Sequence, residues 1–131
     1  MSNSIETYQM IINGEFVDSA NGQWIDVENP ATKTVFARVP RGSQADVNKA
    51  VEAADVAFRT WSQVAAAERG HLLHQIADAL QDKVELMAQT ISLENGNALR
   101  TQSRGEAKLT VDFVRYVAGL CREIKGNSVY L

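Results

Sequence analysis

The sequence predicts an α+β fold, a small amino-terminal β-sheet followed by three long helices. Two observations carry this prediction. Up to about residue 40, apolar and polar side chains alternate in short runs broken by turn residues, which is the period of strands. From Ser43 onward apolar residues recur three and four apart, which is the period of helices. A chain of 131 residues fits one small domain, able to bury about two thirds of its unfolded surface.

The strands come first. Residues 1–7 are polar and are expected to form a disordered tail. In Ile11-Ile12-Asn13-Gly14-Glu15-Phe16-Val17 the alternation brackets Asn13-Gly14, the dipeptide best suited to a two-residue hairpin turn. Residues 8–18 and 23–28 therefore read as short strands joined by a turn at Ser19–Gly22. The ring of Pro30 pushes Asn29 out of helical geometry and closes that stretch. Thr34–Val39 reads as a third strand, bounded by Pro40 and Gly42.

The helices follow. Ser43 is an N-cap with an acidic residue, Asp46, three places on, the arrangement of a capping box. Val47, Ala50, Val51, Ala54, Phe58 and Trp61 then share one face of a helix ending near Ser62. A second helix is expected from Ala66 to Glu94 on the stripe Leu73, Ile76, Leu80, Val84, Met87 and Ile91, with a bend near Asp82-Lys83. Gly96 would stop it, because glycine adopts the left-handed conformation at little cost. A third helix is expected over Gln102–Ile124, with Leu109, Phe113, Tyr116, Val117, Leu120 and Ile124 on its apolar face. Arg122 and Lys125 suit the negative end of its dipole, Gly126 would end it, and Ser128–Leu131 looks like the beginning of a strand.

Composition bounds the function. The 45% apolar and 22% charged content is ordinary for a soluble globular protein. A net charge of −3 with scattered basic residues argues against nucleic acid as a partner. A single cysteine, Cys121, excludes an internal disulfide framework and suits a reducing cytoplasm, the expected location. Neither a secretion leader nor a membrane-spanning helix is expected from the apolar runs, which are only a few residues long, and no membrane partner is expected.

The chemistry-bearing residues are few. Cys121 sits inside a helical apolar pattern with no cysteine-activating motif around it, so it reads as a small buried hydrophobe rather than a nucleophile. His71 and His74 share a helix face, but only Glu68, Gln75 or Asp78 stand at helical spacing to complete a metal site, and packed or solvated histidines fit better. No glycine-rich phosphate loop occurs.

Larger patterns join these pieces. Ile12-Asn13-Gly14-Glu15-Phe16-Val17 leads to Asn29-Pro30-Ala31-Thr32, then to Ala50-Val51-Glu52-Ala53-Ala54 with Ala57-Phe58 and Trp61. Glu68-Arg69 with Leu73, Glu94-Asn95-Gly96-Asn97, and Arg115-Tyr116-Val117-Ala118-Gly119 follow in order. This succession resembles the amino-terminal segment of the aldehyde dehydrogenase superfamily. The family often has Ser or Thr where Ala65 stands, which would cap the second helix, and Asn97 stands where a lysine is usual.

The resemblance implies that residues 8–131 are the incomplete amino-terminal part of a Rossmann-like cofactor-binding domain, ending at the start of an oligomerisation strand. It implies a family reaction in which a cysteine thiolate attacks an aldehyde, a hydride passes to NAD or NADP, and water releases a carboxylic acid. The nucleophile, the base, the oxyanion donor and the cofactor motifs have no counterparts among these residues, so no catalytic or cofactor-binding residue is assigned. The chain alone is expected to bind no cofactor and to be inactive, as an amino-terminal fragment. The resemblance places a monovalent cation, Na+ or K+, at Val27, Glu28 and Glu94, and a substrate-channel wall at Gly105 and Leu109. Expected partners are the remainder of a subunit, or a second copy meeting uncovered apolar faces. The other reading is a non-catalytic oligomerisation or partner-binding module of the same fold.

Overall fold

The computed structural model describes residues 5–123 and Gly126. They belong to two compact units, one formed by residues 1–63 with Leu93–Gly96, the other by residues 64–92 with 97–131.

The first unit contains the strands. β1 (Glu6–Thr7), β2 (Met10–Ile12), β3 (Glu15–Val17), β4 (Trp24–Asn29) and β5 (Thr34–Pro40) form a three-stranded sheet, in the order β1-β5-β4, and a separate β2–β3 hairpin. β5 pairs parallel with β1 and antiparallel with β4. The expected disordered tail over residues 1–7 is corrected in part, because Glu6 and Thr7 pair with Ala37 and Arg38. In the β2–β3 hairpin Asn13 and Gly14 both hold positive φ, 54° and 79°, as a two-residue hairpin turn of matching twist requires. Between β4 and β5 the register slips by one: Val27 faces Ala37 and Glu28 faces Val35, leaving Phe36 as the bulged residue. Asn29 closes this hairpin, its side chain accepting from the Ala31 N–H at 2.9 Å and its carbonyl from the Lys33 N–H at 2.8 Å.

α1 (Gln44–Trp61) begins at the Ser43 capping box anticipated from the sequence. Its apolar stripe is left open: Val47, Val51, Phe58 and Trp61 are all exposed.

The second unit is helical. α2 (Ala66–Gln81) and α3 (Val84–Asn95) replace the single bent helix expected over Ala66–Glu94, so the described residues form four α-helices rather than the three expected. Asp82 keeps right-handed helical angles, and the Lys83 N–H turns to the Leu80 carbonyl instead of continuing the ladder. One π-helical turn, Leu99–Ser103, then leads into α4 (Arg104–Leu120). This helix stops before the expected Ile124; that residue, Lys125 and the expected strand at Ser128–Leu131 lie outside the described residues.

α2 and α4 run antiparallel, because Gly70 meets Ala118 while Asp78 meets Arg115. Their contact is built from small residues: Gly70, Ala77, Ala107, Val111 and Ala118 are buried. Ala65 caps α2 without any side-chain hydrogen bond, as the sequence suggests. Ala65→Ser should therefore raise the chain's stability by about 1 kcal/mol, because a hydroxyl there could take the Glu68 N–H while Glu68 reaches back. Urea denaturation of the two proteins measures the difference; an unchanged midpoint would mean that this end is already satisfied.

Candidate functional site

The three residues assigned to a cation fall in the first unit. Val27 and Glu28 are neighbours at the end of β4, beside the bulge, while Glu94 stands in the last turn of α3. The end of α3 abuts the Asn29–Pro30 turn. Gly96 has φ of 74°, and a Cβ placed there would come within 3.0 Å of the Pro30 ring. Glycine thus serves both the left-handed backbone and the close approach. The Glu28 carboxylate pairs with Lys33 at 3.6 Å, so Glu28 would offer its backbone carbonyl rather than its side chain. Backbone carbonyls with one carboxylate make a hard-oxygen set suited to alkali cations.

Gly105 and Leu109 are four apart on α4 and share one face. Leu109 is 67% exposed, and nothing lies within 4 Å of where a Gly105 Cβ would be. Neither packs into a core among the described residues. With Phe113 and Tyr116 they make an open apolar strip along the helix.

Cys121 is half-buried, its thiol 3.7 Å from the Val117 carbonyl of the preceding turn, the geometry of a packed helical cysteine. No group of three or more His, Cys, Asp or Glu side chains gathers around a metal-sized space among the described residues. His71 pairs with Gln75 at 3.2 Å on the same helix face. Asn97, which stands where the family usually has lysine, donates its side-chain amide to the Glu106 carboxylate at 3.2 and 3.3 Å.

Sequence reading missed the full extent of a structural clamp at Asp46. Its carboxylate accepts from the Ser43 N–H and hydroxyl, each at 2.7 Å, and from the Ala20 N–H at 3.1 Å, with the Ser19 hydroxyl also at 3.1 Å. One side chain thereby caps α1 and ties the 19–20 turn to it. The Ser43 N–H above all, then its hydroxyl, hold Asp46 down to about 2 from an ordinary 3.8. In the second unit Glu85 is likewise lowered to about 2, chiefly by its hydrogen bonds from Arg104 at 2.8 and 2.9 Å.

Both groups favour the ionised form when folded. Their contribution is complete above the ordinary carboxylate values and is lost as pH falls through about 2. Asp46→Asn should lower stability at neutral pH and flatten part of the acid limb. Thermal unfolding recorded across pH 2 to 7 tests this; an acid limb unchanged in Asp46→Asn would contradict the clamp.

Among the described residues no strand-to-helix turn is glycine-rich, and β5, the middle strand of its sheet, carries one parallel neighbour. Among the described residues no helix is long and apolar enough to cross a membrane.

Comparison with known proteins gives one consistent result. Residues 16–131 match the model of the aldehyde dehydrogenase family. The chain is 41% identical over 118 residues to malonate-semialdehyde dehydrogenase 1 of Shouchella clausii, covering 90% of this chain and 24% of that protein. Its fold matches the amino-terminal part of an NAD-dependent aldehyde dehydrogenase from Sinorhizobium meliloti, with a TM-score of 0.89 and 36% identity over 95% of this chain and 25% of that one. Lactaldehyde dehydrogenase from Escherichia coli is similar at a TM-score of 0.92 and 30% identity, with 98% of this chain and 27% of that chain covered. The chain spans about a quarter of the length of the relatives it matches.

Proposed function

Because the chain belongs to the aldehyde dehydrogenase family, we propose that it serves as the amino-terminal structural part of an NAD(P)-dependent aldehyde-oxidising subunit. The observation that carries this reading is the mismatch between what the chain buries and what it exposes. Among the described residues its buried apolar side chains are five alanines and Val111. Several larger side chains, Val51, Phe58, Leu109, Phe113 and Tyr116 among them, are more than 60% exposed. Covering even half of each would contribute roughly 1 kcal/mol per side chain. These faces are therefore docking faces for the remaining part of a subunit. In this role the chain supplies a scaffold wall, and the nucleophile, base and dinucleotide cradle come from that remaining part. The location that suits such a protein is the cytoplasm.

Within that role, Val27, Glu28 and Glu94 would hold Na+ or K+ and pin the end of α3 to the β4–β5 turn. Gly105 and Leu109 would line the path of the aldehyde once α4 is covered. A crystal grown with thallium tests the cation: anomalous density among the three residues is expected, and its absence would remove the site.

The other reading, a self-associating module, rests on the same exposed faces. Size-exclusion chromatography with light scattering separates the two. Mixed with the complementary part of a relative's subunit, the chain should elute as a one-to-one complex; a stable dimer of the chain that ignores the added part would favour the module instead.

A further inference from the structure

We propose that the cleft between α2 and α4 is a binding site for a phosphate group. Ala67, Gly70, His71 and His74 stand at positions i, i+3, i+4 and i+7 and form one face of α2. Opposite them lie Ala118, Gly119 and Arg122, at the end of α4 and in the turn that follows it. The other lining residues are alanine and glycine, so His71, His74 and Arg122 supply the cleft's only polar side chains. Gly70 keeps it open and close-packed at once, since a Cβ there would fall 2.9 Å from the Ala118 carbonyl oxygen.

The cleft has a volume of about 280 Å³, room for roughly nine waters at about 30 Å³ each. That is ample for a tetrahedral oxyanion that keeps part of its hydration. Its lining includes no carboxylate, although the chain as a whole is negative at −3. None of the ion pairs among the described residues uses Arg122, His71 or His74. Glu68 and Glu123 flank lining residues in sequence without joining the lining.

The donor set selects the ligand class. Arg122 presents a planar fork of N–H groups matched to two oxygens of one anion. Each neutral imidazole adds one N–H, and a protonated one adds two. Where Gln75 donates to His71 Nε2, the proton of His71 sits on Nδ1 and remains available. A cation is disfavoured by the guanidinium, and no third metal-ligating side chain stands close to the histidines among the described residues. The uncapped start of α2 and the carbonyl end of α4 meet here with opposite dipoles and offset each other, so the side chains decide the sign.

The test is an imidazole NMR titration of the 131-residue chain at constant ionic strength, with inorganic phosphate, a simple phosphate monoester and acetate as three arms. Both phosphates should shift the His71 and His74 signals saturably, and acetate should not. Arg122→Gln should weaken phosphate binding about tenfold or more, the loss of one charge-assisted bidentate contact. His74→Gln should weaken it independently, and amide spectra matching the parent would show that both variants keep the fold. Tighter binding of the monoester would assign the site to an esterified phosphate, tighter binding of phosphate itself to the free anion. Shifts no larger than those with acetate, or unchanged in Arg122→Gln, would overturn the proposal.

Discussion

Gly70→Ala should destabilise the helical unit by about 1–3 kcal/mol, although alanine is the better helix former by about 1 kcal/mol. In an exposed helix the substitution would stabilise, so the sign alone reports the packing. The new Cβ would stand 2.9 Å from the Ala118 carbonyl oxygen and 3.4 Å from the Cys121 Cβ. The first of these is backbone, inside α4, and cannot swing aside as a side-chain tip would. The two helices would have to separate, which loosens the buried contacts of Ala77, Val111 and Ala118. Urea denaturation measures the loss; a midpoint raised by the substitution would mean that α2 and α4 do not approach as described.

Phe113→Asp should have nearly the opposite profile. Phe113 is 63% exposed and touches Tyr116 at a ring separation of 6.5 Å, so the isolated chain should change by no more than about 0.5 kcal/mol. Assembly should suffer far more. Once the α4 strip is covered, the aspartate would be a buried, unpaired charge in place of an aromatic anchor. Losses of about 2 kcal/mol or more, some 30-fold in affinity, are usual for such central positions. Binding of the variant to the complementary part of a relative's subunit, followed by calorimetry, checks this. Equal affinity for parent and variant would mean that the strip is not a docking face.

These two substitutions mark what the sequence could and could not disclose. The Asn13-Gly14 hairpin and the Ser43–Asp46 capping box were legible because each is decided within four residues. At Asp82-Lys83 the length of the pattern suggested a bend but not a break into two helices, since neither residue is a helix breaker and the apolar stripe runs through it. β1 was missed because two residues of strand depend on a partner about thirty positions away. On α4 periodicity identified the apolar face, Leu109, Phe113 and Tyr116. It could not reveal that the buried side is instead the small one, Ala107, Val111 and Ala118. Amphipathic spacing says which face is apolar, not what covers it.

The candidate site shows the same limit. Val27, Glu28 and Glu94 came from resemblance to a family, because residues 66 positions apart carry no local signal of proximity. What the structure adds is the contact of Gly96, two residues after Glu94, with Pro30, two residues after Glu28. Gly70 drew no notice in the sequence, where an isolated helical glycine reads as a small cost rather than as the residue that sets a helix–helix distance.

The central claim is that this chain contributes scaffold and not catalytic groups. Aldehyde-dependent reduction of NAD+ or NADP+, followed by absorbance, tests it most directly, first on the pure chain and then after co-expression with the remaining three quarters of a relative such as the Shouchella clausii dehydrogenase. The expected result is no turnover by the chain alone and turnover in the assembled complex, lost again with Phe113→Asp. Turnover by the pure chain that survives Cys121→Ser would contradict it.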